Sequence, residues 1–492
     1  MPRLCLCVLC AVTAAVVAAL LLGASSPAVA QEKPVSFITD VVPILKDANC
    51  FGCHESKKKA GKYDMTTFEK LFAGGANGDP IVAGKPADSE FYTLLVTAED
   101  RRMPPRDKGD AVPKEKAAVI ERWIKQGAKI DAGLDPKADI GKELRARWKP
   151  PAPPAKYPFP AIVNALAFTP DGKAVVVGGH HEIAVWSLDG EPKLVKRLHT
   201  RAERAYGIAF LPDGKLVVAG GRPGQEGDVR VYDLGAKPAK SDGGVEFLDG
   251  VGDPKVMLKL LAETDDSVLC LAVSADGKRV AAGGCDRAIR VWDLSGGLAS
   301  AKLEQTVENH ADWVLGVALS PDGKHLFSSG RDKMVKVWDL AAKESVLTFA
   351  EHQNVAYGVA ANKDGTLGFS VGADRQLRSW KPTGDGKQVK NAGGHSEDVF
   401  KLVGNGTVLA TGSGDKTVRL WDAATLAGTK TLTGLTDHVF AVAISPDGIL
   451  VAGGSYDGEV RVWKVADGTP VTGFNASPGQ PTKFVPPPPK KK

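Results

Sequence analysis

The sequence predicts a multidomain chain: a small all-α domain followed by an all-β propeller of seven blades. Three observations predict it. Apolar residues before residue 130 recur at helical spacing, a proline run then interrupts the chain, and beyond it one strand-turn-strand pattern closing on an aromatic recurs seven times. Gly at 55 residues, with only 7% aromatics, agrees with a majority of tight turns. The formal charge is +5; Arg3 and the terminal Lys490, Lys491 and Lys492 carry most of it, so the body is nearly neutral and no broad basic patch points to nucleic acid.

Residues 1–30 open with Arg3, run apolar from Leu4 to Leu22, and close on Ala28-Val29-Ala30 before Gln31. A basic start, an apolar stretch and a small-x-small end read as a signal peptide cleaved after Ala30, hence a periplasmic or otherwise exported protein. The alternative is an uncleaved anchor, since the run is nearly long enough to span a bilayer; membrane association is expected only in that case. Cys5, Cys7 and Cys10 leave with the signal, so four of the seven cysteines remain.

Two of those four lie in Cys50-Phe51-Gly52-Cys53-His54. C-x-x-C-H is the attachment pattern of a c-type haem: two thiols positioned to add to two vinyl groups, and a histidine to meet the iron. The competing reading, a thioredoxin-like dithiol, lacks the βαβ pattern that would surround it. One covalent haem c is therefore expected, on Cys50 and Cys53, with His54 as the proximal iron ligand. His54 is the only histidine before residue 180, which excludes a second histidine ligand from this domain. The methionines available are Met65, only 11 residues on, and Met103, in the proline-stiffened Arg102-Met103-Pro104-Pro105. Met103 is the expected distal ligand; Met65 is read as packing and remains its rival. The remaining thiols, Cys270 and Cys285, are either a disulfide pair or buried strand residues.

The domain around this motif, 32–147, reads as helical. Phe37, Val41, Ile44 and Leu45 share one helix face. Asp88 to Leu95 is a shorter helical candidate. Pro113 opens a helix whose apolar stripe is Val119, Ile120, Trp123 and Ile124, and Gly127 ends it. Val42-Pro-Ile-Leu45, the C-x-x-C-H, Val82 to Ser89, Met103-Pro-Pro and Trp123 to Ala128, in that order, resemble the planctomycete-type cytochrome c domain. The resemblance implies haem on Cys50 and Cys53, with His54 proximal and Met103 distal. Met65 departs from the pattern, where an aliphatic residue is expected.

Residues 148–160 hold six prolines in thirteen positions and are expected to be a semi-rigid linker. The propeller is placed at 161–476. Its closing aromatics, Trp186, Tyr232, Trp292, Trp338, Trp380, Trp421 and Trp463, lie 46, 60, 46, 42, 41 and 42 residues apart, the period of four-stranded blades. The interval of 60 contains an insertion near 238–262, expected to be a loop. Three repeats share a histidine, a hydroxyl and an aspartate with the tryptophan: His310, Ser328, Asp332, Trp338; His352, Ser370, Asp374, Trp380; and His395, Thr411, Asp415, Trp421. The repeats resemble the WD-repeat family, which uses such a set as a buried hydrogen-bond chain within a blade, so a hydrolase triad is not expected. The last blade is closed either by Thr469 to Phe474 or by residues before 161. The tail, 477–492, is expected to be disordered.

These readings favour an exported mono-haem cytochrome that transfers electrons, its propeller docking a redox partner or another protein, over an enzyme. The alternatives are an oxidoreductase whose propeller binds or converts a substrate and feeds the haem, and a haem-based sensor.

Overall fold

The computed structural model describes residues 33–55 and 58–485; the expected signal peptide, 1–30, and the end of the tail lie outside them. Contacts divide the chain into two compact units, Met1–Trp148 and Lys149–Lys492.

In the first unit a π-helical turn, Phe37–Val41, runs into α1 (Val42–Asp47), followed by α2 (Phe68–Ala73), α3 (Glu90–Val96), α4 (Lys114–Lys125) and α5 (Ile140–Arg147). Phe37, Val41, Ile44 and Leu45 are all buried, as their spacing requires. Pro113 caps α4, and Gly127 follows its end at φ +98°, a conformation other residues avoid. Trp123 centres the core: its ring stacks on Phe37 at 5.2 Å and its Nε1 donates to Lys129 O at 2.9 Å. Helix α2 packs Phe68, Leu71 and Phe72 on this core, and α2 and α5 are capped at their starts, where Thr67 and Asp139 side chains accept from Lys70 N and Lys142 N.

The second unit is the propeller, with seven four-stranded antiparallel blades among the described residues. Five are separate sheets; blades 1 and 2 are fused because one strand, Lys193–Phe210, is the outer strand of the first and the inner strand of the second. The Asp-Gly turns work by a repeated device. In Ser320-Pro-Asp-Gly323, Asp322 accepts from Ser320 Oγ at 2.6 Å and from Lys324 N at 3.1 Å, and Gly323 takes φ +68°. The last blade is completed by its own strand, Pro470–Asn475, so the ring closes without a strand from the N-terminal side.

Three expectations are revised. The insertion before residue 257 is a hairpin, Lys240–Asp242 with Val245–Asp249, rather than a loop. Its second strand pairs in parallel with Lys196 to His199, so it covers the open edge of blade 1 and buries Leu248. The proline run is packed against the propeller over much of its length. Arg197 Nη2 donates to Pro154 O at 2.7 Å, His199 Nε2 lies 3.0 Å from Pro151 O, and the Tyr157 hydroxyl donates to Glu182 at 2.6 Å. The described part of the tail, 477–485, expected to be disordered, joins the same seam: Tyr157 N donates to Pro478 O, Gln480 Nε2 to Tyr157 O, Ala161 N to Ser477 Oγ, and Lys483 N to Glu459.

Arg197 and Glu182 anchor it as a buried pair, 3% and 1% exposed, bonded at 2.6 and 3.0 Å. Arg197→Met would leave Glu182 buried without its cation. The expected result is a loss of about 3–5 kcal/mol in chemical denaturation, with faster proteolysis within 149–160. Unchanged stability and unchanged cleavage would refute this role for the pair.

Candidate functional site

The C-x-x-C-H segment is one tight helical turn. Asn49 enters it in the left-handed region at φ 54°, and Cys50 O accepts from Cys53 N at 3.3 Å and His54 N at 3.0 Å. That turn puts Cys50 and His54 on the same side. A Cβ at Gly52 would sit 2.5 Å from Asn49 Oδ1, so a larger residue there would have to displace the Asn49 side chain. The His54 ring is oriented by Tyr63 O, 3.4 Å from Nδ1, which leaves Nε2 as the free nitrogen. The backbone extends this support, since Met65 N donates to His54 O at 2.7 Å.

Beside the turn is a largely apolar cavity of about 160 Å³ that opens to solvent. Cys50, His54, Met65 and Met103 all line it. Its other walls are the loop 60–78 and the inner side of α3, including Phe91, Leu94 and Leu95. Met103 is carried to the wall by a hydrogen bond from its N to Leu94 O at 2.8 Å. It is half-buried, whereas Met65 is 2% exposed and embedded in the core. Cys53 is half-buried in the same turn but is not part of the wall.

Sequence reasoning did not single out Tyr63, Glu90 or Leu94, which also line the cavity. No motif marks them; they reach it because α3 packs across the loop that follows His54.

The chemistry of the cavity fits a haem. Burial pushes the Cys50 thiol up to about 11, the opposite of the lowered value a dithiol redox site needs. One histidine and two thioethers, the half-buried Met103 and the core-embedded Met65, stand at the wall and could supply a histidine–methionine pair, and among the described residues no cluster of three or more His, Cys, Asp or Glu offers a protein-only metal site. Next to Met103 in sequence, Arg102 donates one nitrogen to Gly109 O, while its buried Nη1 has no partner; an anionic group such as a propionate would satisfy it.

In the propeller, the recurrent histidines form closed chains. His352 Nδ1 lies 3.0 Å from Asp374, its Nε2 2.8 Å from Ser370 Oγ, and Trp380 Nε1 donates to the same Oγ at 3.2 Å. The sets of His310 and His395 repeat these contacts at 2.7–3.0 Å. With Nδ1–H donating to aspartate, the hydroxyl donates to Nε2 and accepts from tryptophan, so each proton has one place and no nucleophile is left over. Cys270 and Cys285 are separate thiols, Cys270 donating to Gly283 O at 3.3 Å.

A helical domain with a thiol- and histidine-lined cavity, followed by a ring of tryptophan-pinned blades, defines a cytochrome-type domain joined to a WD-type propeller. Family comparison agrees on both: residues 50–107 match the Planctomycete cytochrome C model, and 255–293, 301–339, 386–422 and 428–464 match the WD domain, G-beta repeat. The chain carries both domains. Among curated proteins it is 36% identical over 85 residues to Periodic tryptophan protein 2 homolog of Schizosaccharomyces pombe and 42% over 74 to mouse (Mus musculus) Coronin-7. It is also 40% identical over 65 residues to WD repeat and HMG-box DNA-binding protein 1 of Xenopus laevis. These matches cover 17%, 14% and 13% of this chain, and only 10%, 8% and 6% of the relatives' lengths.

Proposed function

We propose that the protein is an exported mono-haem c-type cytochrome that passes electrons, with the propeller serving as the surface on which a protein partner docks. The observation that carries this reading is the convergence of Cys50, His54 and Met103 on one cavity from segments 49 residues apart in the chain. In it, Cys50 and Cys53 would hold the haem, His54 and Met103 would ligate its iron through Nε2 and the thioether, and Arg102 would receive a carboxylate. The bound haem supplies a reversible one-electron couple, and a histidine–methionine pair raises its potential. The chain's own work is to exclude water with Phe91, Leu94 and Leu95 and to hold His54 through Tyr63 O. WD-type repeats suggest protein interaction as the propeller's role, by analogy of fold.

Met103 and Met65 provide the test. In haem-loaded protein, Met103→Ala is expected to remove the sulfur-to-iron charge-transfer band, lower the reduction potential and let carbon monoxide bind the reduced form rapidly. Met65→Ala should leave all three unchanged and cost about 2–5 kcal/mol of stability as a core truncation. A silent Met103 with a responsive Met65 would overturn the ligand assignment. Rapid carbon monoxide binding by the parent would favour a sensor or enzyme with an open iron position.

A further inference from the structure

The inner strands of blades 2 to 7 share an irregularity: each carries a bulge near its start, after which pairing resumes. The first residue after the bulge is Gly207, Cys270, Gly316, Gly358, Lys401 and Ala441 in turn. Five are small, as crowding demands. A Cβ at Gly207 would lie 2.5 Å from Leu271 Cβ, and one at Gly316 2.6 Å from Ser329 Oγ. The sixth is a lysine, at the one site in the series where a long chain is admitted.

Lys401 lines the channel that the inner strands enclose, together with side chains of blades 1, 2, 3 and 7. The channel has a volume of about 630 Å³ and opens to solvent. Among its described lining residues Lys401 is the one charged group; the others are apolar or small, with Tyr206, Ser274, Asn405 and Ser445 as the polar exceptions, and no carboxylate faces it. The described hydrogen bonds and ion pairs include none from its ammonium to another residue. Partial burial holds its pKa below the ordinary lysine value. A cation taken out of bulk water without a counter-charge is costly, and the cost falls when an anion accompanies it.

We propose that this channel is an anion-binding site in which the Lys401 ammonium holds one small oxyanion of the phosphate or carboxylate class. Of the equivalent small residues Gly207 also lines the channel, and the absence of an acid among the described lining residues leaves the charge for an external ligand. The site is independent of the haem cavity and of the roles proposed for it.

The test uses the full haem-loaded chain near pH 6.5, titrated separately with inorganic phosphate and with acetate by calorimetry. Saturable one-to-one binding of at least one anion is expected, weakened at least tenfold in Lys401→Met and retained within a fewfold in Lys401→Arg. A second measurement needs no substitution: after reductive methylation with ¹³C-formaldehyde, the dimethyl resonance of Lys401 should shift with the same titration midpoint. Binding by the Met variant equal to the parent's, a Lys401 resonance that ignores the anion, or no saturable binding of either anion would each overturn the proposal.

Discussion

Alanine at both Cys50 and Cys53 is expected to abolish covalent haem: a denaturing gel of the variant, matured in a host that assembles c-type cytochromes, should show no haem stain where the parent stains strongly. The chemistry is all-or-none because each thioether is a covalent bond to one of these sulfurs, and no other cysteine lies among residues 11–269. The domain core would survive, since Phe37, Leu45 and Trp123 are buried within it and Cys50 only packs against it from outside. A chain lacking residues 1–30 should also remain unstained if attachment takes place after export. Persistent staining of the double variant would remove the basis of the proposed function, and a parent without stain would do the same.

Trp380→Ala should produce the largest loss of stability in the propeller. The ring is fully buried, stacks on Phe349 at 5.9 Å, meets Phe327 edge-on at 5.4 Å and covers Gly368, where a Cβ would lie 2.2 Å from the indole. Emptying that volume costs about 3–5 kcal/mol, read as a lower denaturation midpoint. Trp380→Phe separates packing from polarity: it keeps most of the apolar contact and removes the donor to Ser370, for a further cost of order 1 kcal/mol. Alanine no more disruptive than phenylalanine would mean that the blade is pinned by its hydrogen-bond chain rather than by the indole's bulk.

Much of this was legible in the residues themselves. The seven aromatics and their spacing determine the number of blades, because one four-stranded blade consumes a near-constant length of chain. The offsets of 18, 22 and 28 from His310 and from His352 determine which side chains meet, since strand register converts spacing into contact. C-x-x-C-H determines a helical turn with Cys50 and His54 on one side, a relation carried by local geometry alone.

Other features were decided only by tertiary structure. That residues 151–157 form a strap rather than a free spacer depends on Arg197, Glu182 and His199, more than twenty residues downstream, and proline content says nothing of where carbonyls find donors. The hairpin at 240–249 acquires its strand character from the open edge of blade 1, which no local pattern encodes. Met65 and Met103 are distinguished by burial, one closed into the core and one half-open at the wall, and burial is a property of what packs around a residue. Lys401 is the sharpest case. In the sequence it is one lysine in an alternating strand; in the ring it is the one charge lining a channel, because the fold brings five strands from distant parts of the chain around it.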